Sequence, residues 1–242
     1  MSRAARNDVK IFEDDCNEHG GYRYSTDARL SSDLANQRLS SLVQELANFK
    51  NKRVLDLGCG DGTYSQQLLA TAGAGSVHGI DPAQAAIEVA KRCCHQQELS
   101  FECVSGDNLP FSDNSFDIVH IRGVLHHMKD PAQALKEAFR VGKSVVIIEP
   151  NGYSPILKII EKVSPYHRQH NEKSYTAHTL RGWIRAAGGQ VEQEAFGGLV
   201  PMFCPDIMAK FAKKLEGAVE MTPLLNRLCL AVYGCRAEKI VC

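Results

Sequence analysis

One stretch constrains this chain more than any other: Val54-Leu55-Asp56-Leu57-Gly58-Cys59-Gly60-Asp61-Gly62. An apolar run with strand character meets glycine at every second position, and a helical pattern starts at Thr63. Such a turn sets bare backbone against a flat polar ligand at the carboxyl end of a strand, where ligands bind in open α/β sheets. The glycines permit the tight turn and close approach, and the helix start offers free N–H groups. Asp56 favours a ligand with positive charge or hydroxyl donors, because a carboxylate accepts hydrogen bonds and repels phosphate.

The rest of the chain supplies the sheet such a turn needs. Strands are expected at about 53–57, 77–80, 99–104, 116–121 and 144–149, with helices from Thr63, Ala83 and Pro131 between them. Val145-Val146-Ile147-Ile148 is apolar on both faces, as a central parallel strand requires. Strand–helix alternation of this kind predicts a doubly wound α/β domain with right-handed crossovers. Leu30, Leu34, Leu39, Leu42, Val43, Leu46 and Phe49 predict an amphipathic helix ahead of it, while residues 1–28 read as polar and irregular. Beyond Pro150, helices are expected at 156–163 and 176–187, and strands near 190–196 and 228–233. Ile207, Met208, Phe211 and Leu215 share one helical face, with Lys210, Lys213 and Lys214 off it. This insertion is open to three uses: a solvated cover, contact with a long or amphipathic substrate, or contact with a membrane surface. Neither repeats nor a linker mark a boundary, so one domain over 1–242 is expected. Within it, 1–50 form an arm, helix and lid, 51–150 a cofactor half and 151–242 a substrate half.

Charge limits the partners. Lys+Arg 28 balance Asp+Glu 28 over 242 residues, which leaves no global positive field to capture nucleic acid. The start of the chain lacks the apolar core of a signal peptide, and no segment is apolar enough to span a bilayer. None of the nine cysteines forms a Cys-x-x-Cys pair, so no metal site is expected. They read as reduced thiols of a cytoplasmic protein, with Cys103 and Cys229 as small buried hydrophobes.

The chain resembles the class I S-adenosylmethionine-dependent methyltransferases of the small-molecule type. The resemblance rests on Val54–Gly62, Gly79-Ile80-Asp81-Pro82, Gly106-Asp107-Asn108-Leu109-Pro110-Phe111, Phe116-Asp117-Ile118-Val119, Val124-Leu125-His126-His127 and Val145–Pro150, in that order. It implies a Rossmann-like seven-stranded sheet, its last strand antiparallel and supplied by the chain's C-terminal strand. It also implies S-adenosyl-L-methionine as donor and S-adenosyl-L-homocysteine as product. Asp81, 23 positions after Gly58, is then placed to accept from both ribose hydroxyls, beside Pro82. Asp107, in the loop opened by Gly106, would accept from the adenine amino group, and the Asn108 backbone N–H would meet a ring nitrogen. Asp56 and the Gly58-Cys59-Gly60-Asp61-Gly62 turn would face the amino-acid and sulfonium side. Arg122 would line the pocket near the methyl group. Each aspartate also suits a helix cap or turn.

Methyl transfer asks the protein to hold a nucleophile in line with the sulfur–methyl bond and to exclude water. Candidate bases are His126, His127, His167 and His170, with at least one of the first pair expected to serve structure. Tyr22 and Tyr24, beside Gly20-Gly21, suit either a lid or an arm packed on the sheet, and Tyr166 joins the substrate side. A small-molecule acceptor (a metabolite, a lipid-like precursor or a sugar-containing intermediate) is the expected partner. RNA or protein methylation, a binding protein without turnover and a nicotinamide oxidoreductase remain alternatives. Oligomeric state is left open.

Overall fold

A computed structural model describes residues 3–164 and 173–240. Seven strands form one sheet: β1 (Arg53–Leu57), β2 (Ser76–Asp81), β3 (Leu99–Cys103), β4 (Phe116–Arg122), β5 (Gly142–Pro150), β6 (Gly189–Gly197) and β7 (Val232–Lys239). Their order is β3-β2-β1-β4-β5-β7-β6, and β7 runs antiparallel to both neighbours. The chain winds outward from β1 to β3, then returns to place β4 on the other side of β1. The crevice opened by that reversal lies at the carboxyl ends of β1 and β4, the ligand-binding position of such sheets.

Alternation within the strands builds two cores. Leu55, Leu57, Val119, Ile121, Val145 and Ile147 bury one face against Leu135 and Phe139 of α6 (Pro131–Val141) and Leu180 and Ile184 of α8 (Ala177–Ala186). Val54, Ile118, Val146 and Ile148 bury the other. It is covered by Leu42 and Leu46 of α3 (Leu30–Leu46), Leu68 of α4 (Thr63–Ala70) and Ile87 of α5 (Gln84–Cys93). A strand buried on both faces accounts for the uninterrupted apolar run of β5.

Three expectations need correction. The first 28 residues are not irregular: α1 spans Arg3–His19 and the single turn α2 spans Arg23–Thr26. The narrow stripe Val9, Phe12, Cys16 seats α1 against Ala83, Ala86 and neighbours at the start of α5, a helical spacing masked by its polar surroundings. The last strand starts at Val232 rather than near 228, because Leu225–Cys229 is a short helix, α10. The Asn151 amide anchors the end of that helix by donating to the carbonyls of Arg227 and Leu230. The helix α9 (Asp206–Met221) forms as expected, but its inward side carries Ala209 and Glu216 while its apolar stripe faces solvent. Cys103, on the edge strand, is exposed, and Cys229 is only half-buried. The remaining helix, α7, spans Pro155–Val163. Among the described residues, no helix is long and apolar enough to cross a membrane.

Candidate functional site

Between β1 and α4, Gly58, Gly60 and Gly62 take φ values of 77°, 55° and 81°. This left-handed region excludes most side chains. The backbone N–H groups of Gly58 and Cys59 donate to the Ile80 carbonyl at 2.8 and 3.0 Å, which fixes the turn against β2. A Cβ on Gly58 would lie 2.3 Å from Val124, and one on Gly60 would lie 2.4 Å from the Tyr22 ring. The turn therefore packs the post-β4 loop on one side and a flat aromatic ring directly on its bare backbone.

Asp81 closes β2 beside this turn. Its carboxylate accepts from the N–H of Gly60 at 3.0 Å and of Ala83 at 2.9 Å. The group is buried, and burial pushes its pKa up to about 6 despite those two donors. Pro82 follows at the start of the β2–α5 connection. Beyond β3, Gly106 is buried against Met128, whereas Asp107 and Asn108 are exposed. Among the described residues, the Asp107 side chain accepts a single long bond, from Ser105 at 3.3 Å. Cys59 is buried within the turn, and burial raises its thiol pKa.

Two of the expected cofactor contacts are turned toward the covering helices. Asp56 and His120 are partners across β1 and β4, and Asp56 Oδ1 accepts from His120 Nδ1 at 2.7 Å. Its Oδ2 accepts from Ser65 of α4 at 2.5 Å. Two residues beyond His120, on the same side of β4, Arg122 lies over the Tyr64 ring at 3.6 Å. It donates to Ser40 at 3.0 Å and Asn36 at 3.2 Å, both on α3. Asp56, His120 and Arg122 thus form a polar seam that joins β1 and β4 to α3 and α4. His120 escaped the sequence reading, although its register opposite Asp56 is the signal that identifies it.

Asp61 latches the N-terminal arm. It accepts from the Tyr22 N–H at 3.0 Å and from Thr63 N–H at 3.1 Å, and it is also hydrogen-bonded by the Ser25 hydroxyl. Tyr22 is covered by Phe12 of α1 at 5.7 Å between ring centroids, and Phe12 in turn meets His127 at 4.9 Å. Burial and the nearby Asp81 carboxylate hold the Tyr22 hydroxyl well above its ordinary pKa. Tyr24 instead turns outward onto Phe203. Removing the latch should release this arm. Asp61→Ala is expected to raise amide exchange across residues 20–28 by about tenfold or more, while the β1 and β4 amides stay protected. Equal protection of the arm in both proteins would refute the latch.

The post-β4 loop is held by a residue missing from the sequence reading. Glu149 of β5 is fully buried and accepts from the N–H groups of Val124 and Leu125, each at 2.8 Å. It also accepts from His126 Nδ1 at 2.6 Å. A carboxylate only accepts, so the proton of that bond resides on His126. His126 therefore ties the loop to the sheet, the structural role expected of one of the paired histidines. His127 lies beside it, at 3.9 Å between ring centroids, and faces the arm. Tyr166, His167 and His170 lie outside the described residues.

Comparison with known proteins places these features. Residues 55–148 match the family model described as a methyltransferase domain. An uncharacterized methyltransferase of Schizosaccharomyces pombe is 37% identical over 113 residues, covering 43% of this chain and 38% of that protein. A Coxiella burnetii ubiquinone biosynthesis O-methyltransferase is 34% identical over 117 residues, covering 48% and 46%. The chain spans less than half the length of these curated relatives. Among solved structures, the complex between the Haloferax volcanii Trm112 methyltransferase activator and a methyltransferase matches with a TM-score of 0.70 at 19% identity, covering 98% of each chain. That likeness concerns the fold. With the family-model match over residues 55–148, the glycine turn and the seven-stranded sheet with its antiparallel β7, the chain is similar to the class I S-adenosylmethionine-dependent methyltransferases and shares their Rossmann-like fold.

Proposed function

We propose that this protein transfers the methyl group of S-adenosyl-L-methionine to a small-molecule acceptor and releases S-adenosyl-L-homocysteine. The observation that carries the proposal is the pairing of three left-handed glycines with the Asp81 carboxylate at the end of the adjacent strand. The residues fit the donor. Bare backbone at Gly60 already accepts a flat ring, and Asp81 offers a carboxylate beside it at the position a ribose would take. Asp107 and Asn108 are exposed at the neighbouring strand end, open to an adenine edge. In this reading Asp61 and the Gly58–Gly62 backbone serve the amino-acid end, and the seam of Asp56, His120 and Arg122 holds the strands beneath it in register.

The donor brings its own electrophile, a methyl group on a positively charged sulfur. The protein's task is then to orient the two partners and exclude water, which contributes up to roughly 7–11 kcal/mol in well-oriented cases. Tyr22, Phe12 and α1 supply the cover, so the arm must yield its place over Gly60 when the donor enters. His127 is the base candidate best situated for this, since His126 is committed to Glu149. His170, His167, Tyr166 and Tyr24 belong to the acceptor side of the proposal. The balance of 28 basic and 28 acidic residues supports a small acceptor over nucleic acid. The Coxiella relative, named for ubiquinone biosynthesis, favours a lipid-like one.

Methyl-labelled donor, purified protein and separated pools of metabolites, RNA and protein provide the test. Label is expected in an organic small-molecule fraction. His127→Ala and His170→Ala are expected to leave donor affinity within about twofold while lowering turnover by about 100-fold for whichever serves as base. Label confined to RNA or protein would replace the proposed acceptor, and donor binding without any labelled product would replace the activity.

A further inference from the structure

Twelve large apolar side chains are exposed among the described residues, and eleven of them lie on one stretch of architecture, the twelfth being Ile240. Ile156, Ile159 and Val163 belong to α7, which buries none of its residues. Ile207, Met208, Phe211, Leu215 and Met221 belong to α9, with Ile207 at 79% and Phe211 at 66% exposure. Leu224, Leu225 and Leu228 belong to the connector and α10. These helices touch: α7 packs against α10, and α10 against α9. Apolar clustering of this extent marks an interaction surface on an otherwise soluble-type fold. Leu224 adds a second sign. A branched residue at φ 75° is a strained backbone, and it holds a leucine side chain 66% exposed.

The charges around this face identify what it meets. The three helices carry four carboxylates, and three are neutralised within the protein: Glu161 by Lys158 at 3.1 Å, Glu216 by Lys213 at 2.5 Å and Glu220 by Arg38 at 2.7 Å. Asp206 is the fourth. Lys162, Lys210, Lys214 and Arg227 have no acidic partner among the described residues. Lys210 and Lys214 border the stripe of Ile207, Phe211 and Leu215 along α9. An apolar stripe edged by unpaired cations matches a helix lying in the interface of an anionic bilayer. A second copy of the chain would set the same four cations against themselves, which disfavours self-association.

We propose that α7, α9 and α10 form a seat that holds this protein peripherally on an anionic lipid bilayer. The seat follows β5 at the carboxyl edge of the sheet, the edge that also carries the glycine turn. A lipid-held acceptor then reaches the crevice from the membrane side. The bilayer contact itself stands independently of methyl transfer.

Co-sedimentation of the full chain with vesicles tests this, comparing phosphatidylcholine alone with phosphatidylcholine containing phosphatidylglycerol. Partition is expected onto the phosphatidylglycerol vesicles and should weaken with added salt. Ile207→Glu/Phe211→Glu should lower it by about tenfold or more, and Lys210→Gln/Lys214→Gln by a similar factor. All four positions are exposed, so melting temperature and calorimetric affinity for the donor are expected to stay unchanged, which separates this result from any failure of the methyltransferase proposal. No partition onto either vesicle, or partition indifferent to the Ile207→Glu/Phe211→Glu change, would overturn the proposal. So would a dimer in analytical ultracentrifugation that the same change dissolves without any vesicle binding by the native protein.

Discussion

Asp81→Ala is expected to weaken binding of S-adenosyl-L-methionine by about 100-fold or more. Hydrogen bonds to a charged acceptor contribute roughly 1.5–3 kcal/mol each, and under the proposed assignment the substitution removes two on the ribose side. Asp81→Asn, which keeps an acceptor but loses the charge, should fall between. Acid should mimic the substitution. Burial lifts the Asp81 pKa to about 6, so the carboxylate that accepts from hydroxyls is depleted as pH falls below that value. Donor affinity should then decline with falling pH in the native protein and stay nearly flat in Asp81→Asn.

The same shift acts on stability with the opposite sign. The folded protein holds the Asp81 proton to a higher pH than an unfolded chain, where the group titrates near 3.9. Its contribution is therefore fully present below about pH 4 and is lost as pH rises through about 6. The loss is on the order of 3 kcal/mol, from a shift of about two units at about 1.4 kcal/mol each. Asp81→Asn should abolish this part of the pH dependence. Calorimetric titrations and melting curves between pH 4 and 8 read both effects, and a parallel response of affinity and stability would contradict the assignment.

Glu149→Ala should be the most damaging single change to the scaffold. Three donors converge on this fully buried carboxylate from the Val124 and Leu125 backbone and from His126. Removing one partner of a buried hydrogen-bonded cluster costs about 3–5 kcal/mol, because the others remain desolvated and unsatisfied. For a chain of 242 residues that corresponds to roughly 10 °C in melting temperature. Glu149→Gln should recover part of the loss, since its amide oxygen still accepts. The post-β4 loop would also loosen, carrying His127 with it, so turnover should fall further than donor affinity. A melting temperature within about 2 °C of native would show that the cluster is not what anchors the loop.

The succession of strands along the chain was legible because apolar runs end in their own turn chemistry, as at Gly58–Gly62 and Asp81-Pro82. Asp81 beside Gly60 followed from the same local logic, since both sit where adjacent strands stop. The polar seam was less legible. Asp56 meets His120 only through the register of β1 on β4, 64 residues apart, and nothing near Asp56 announces a partner. Asp56 alone therefore suggested a ligand contact, whereas the fold sets it against His120 and Ser65. Glu149 reads as the end of an apolar strand until the loop after β4 folds down onto it. Helical periodicity predicted α9 but not its orientation. An apolar stripe usually faces a core, yet here Ala209 and Glu216 face inward and Phe211 faces solvent. The stripe of α1 was missed for a related reason: three apolar residues among many charges suffice to dock a helix on Ala83 and Ala86.

Isothermal titration of the native protein with S-adenosyl-L-homocysteine, repeated with Asp81→Ala, tests the central claim most directly. One site per chain is expected in the native protein, with the heat nearly abolished in the variant at the same concentrations. Absence of binding to the native protein, or an identical isotherm for the variant, would contradict the assignment of the glycine turn and Asp81 to the adenosyl group.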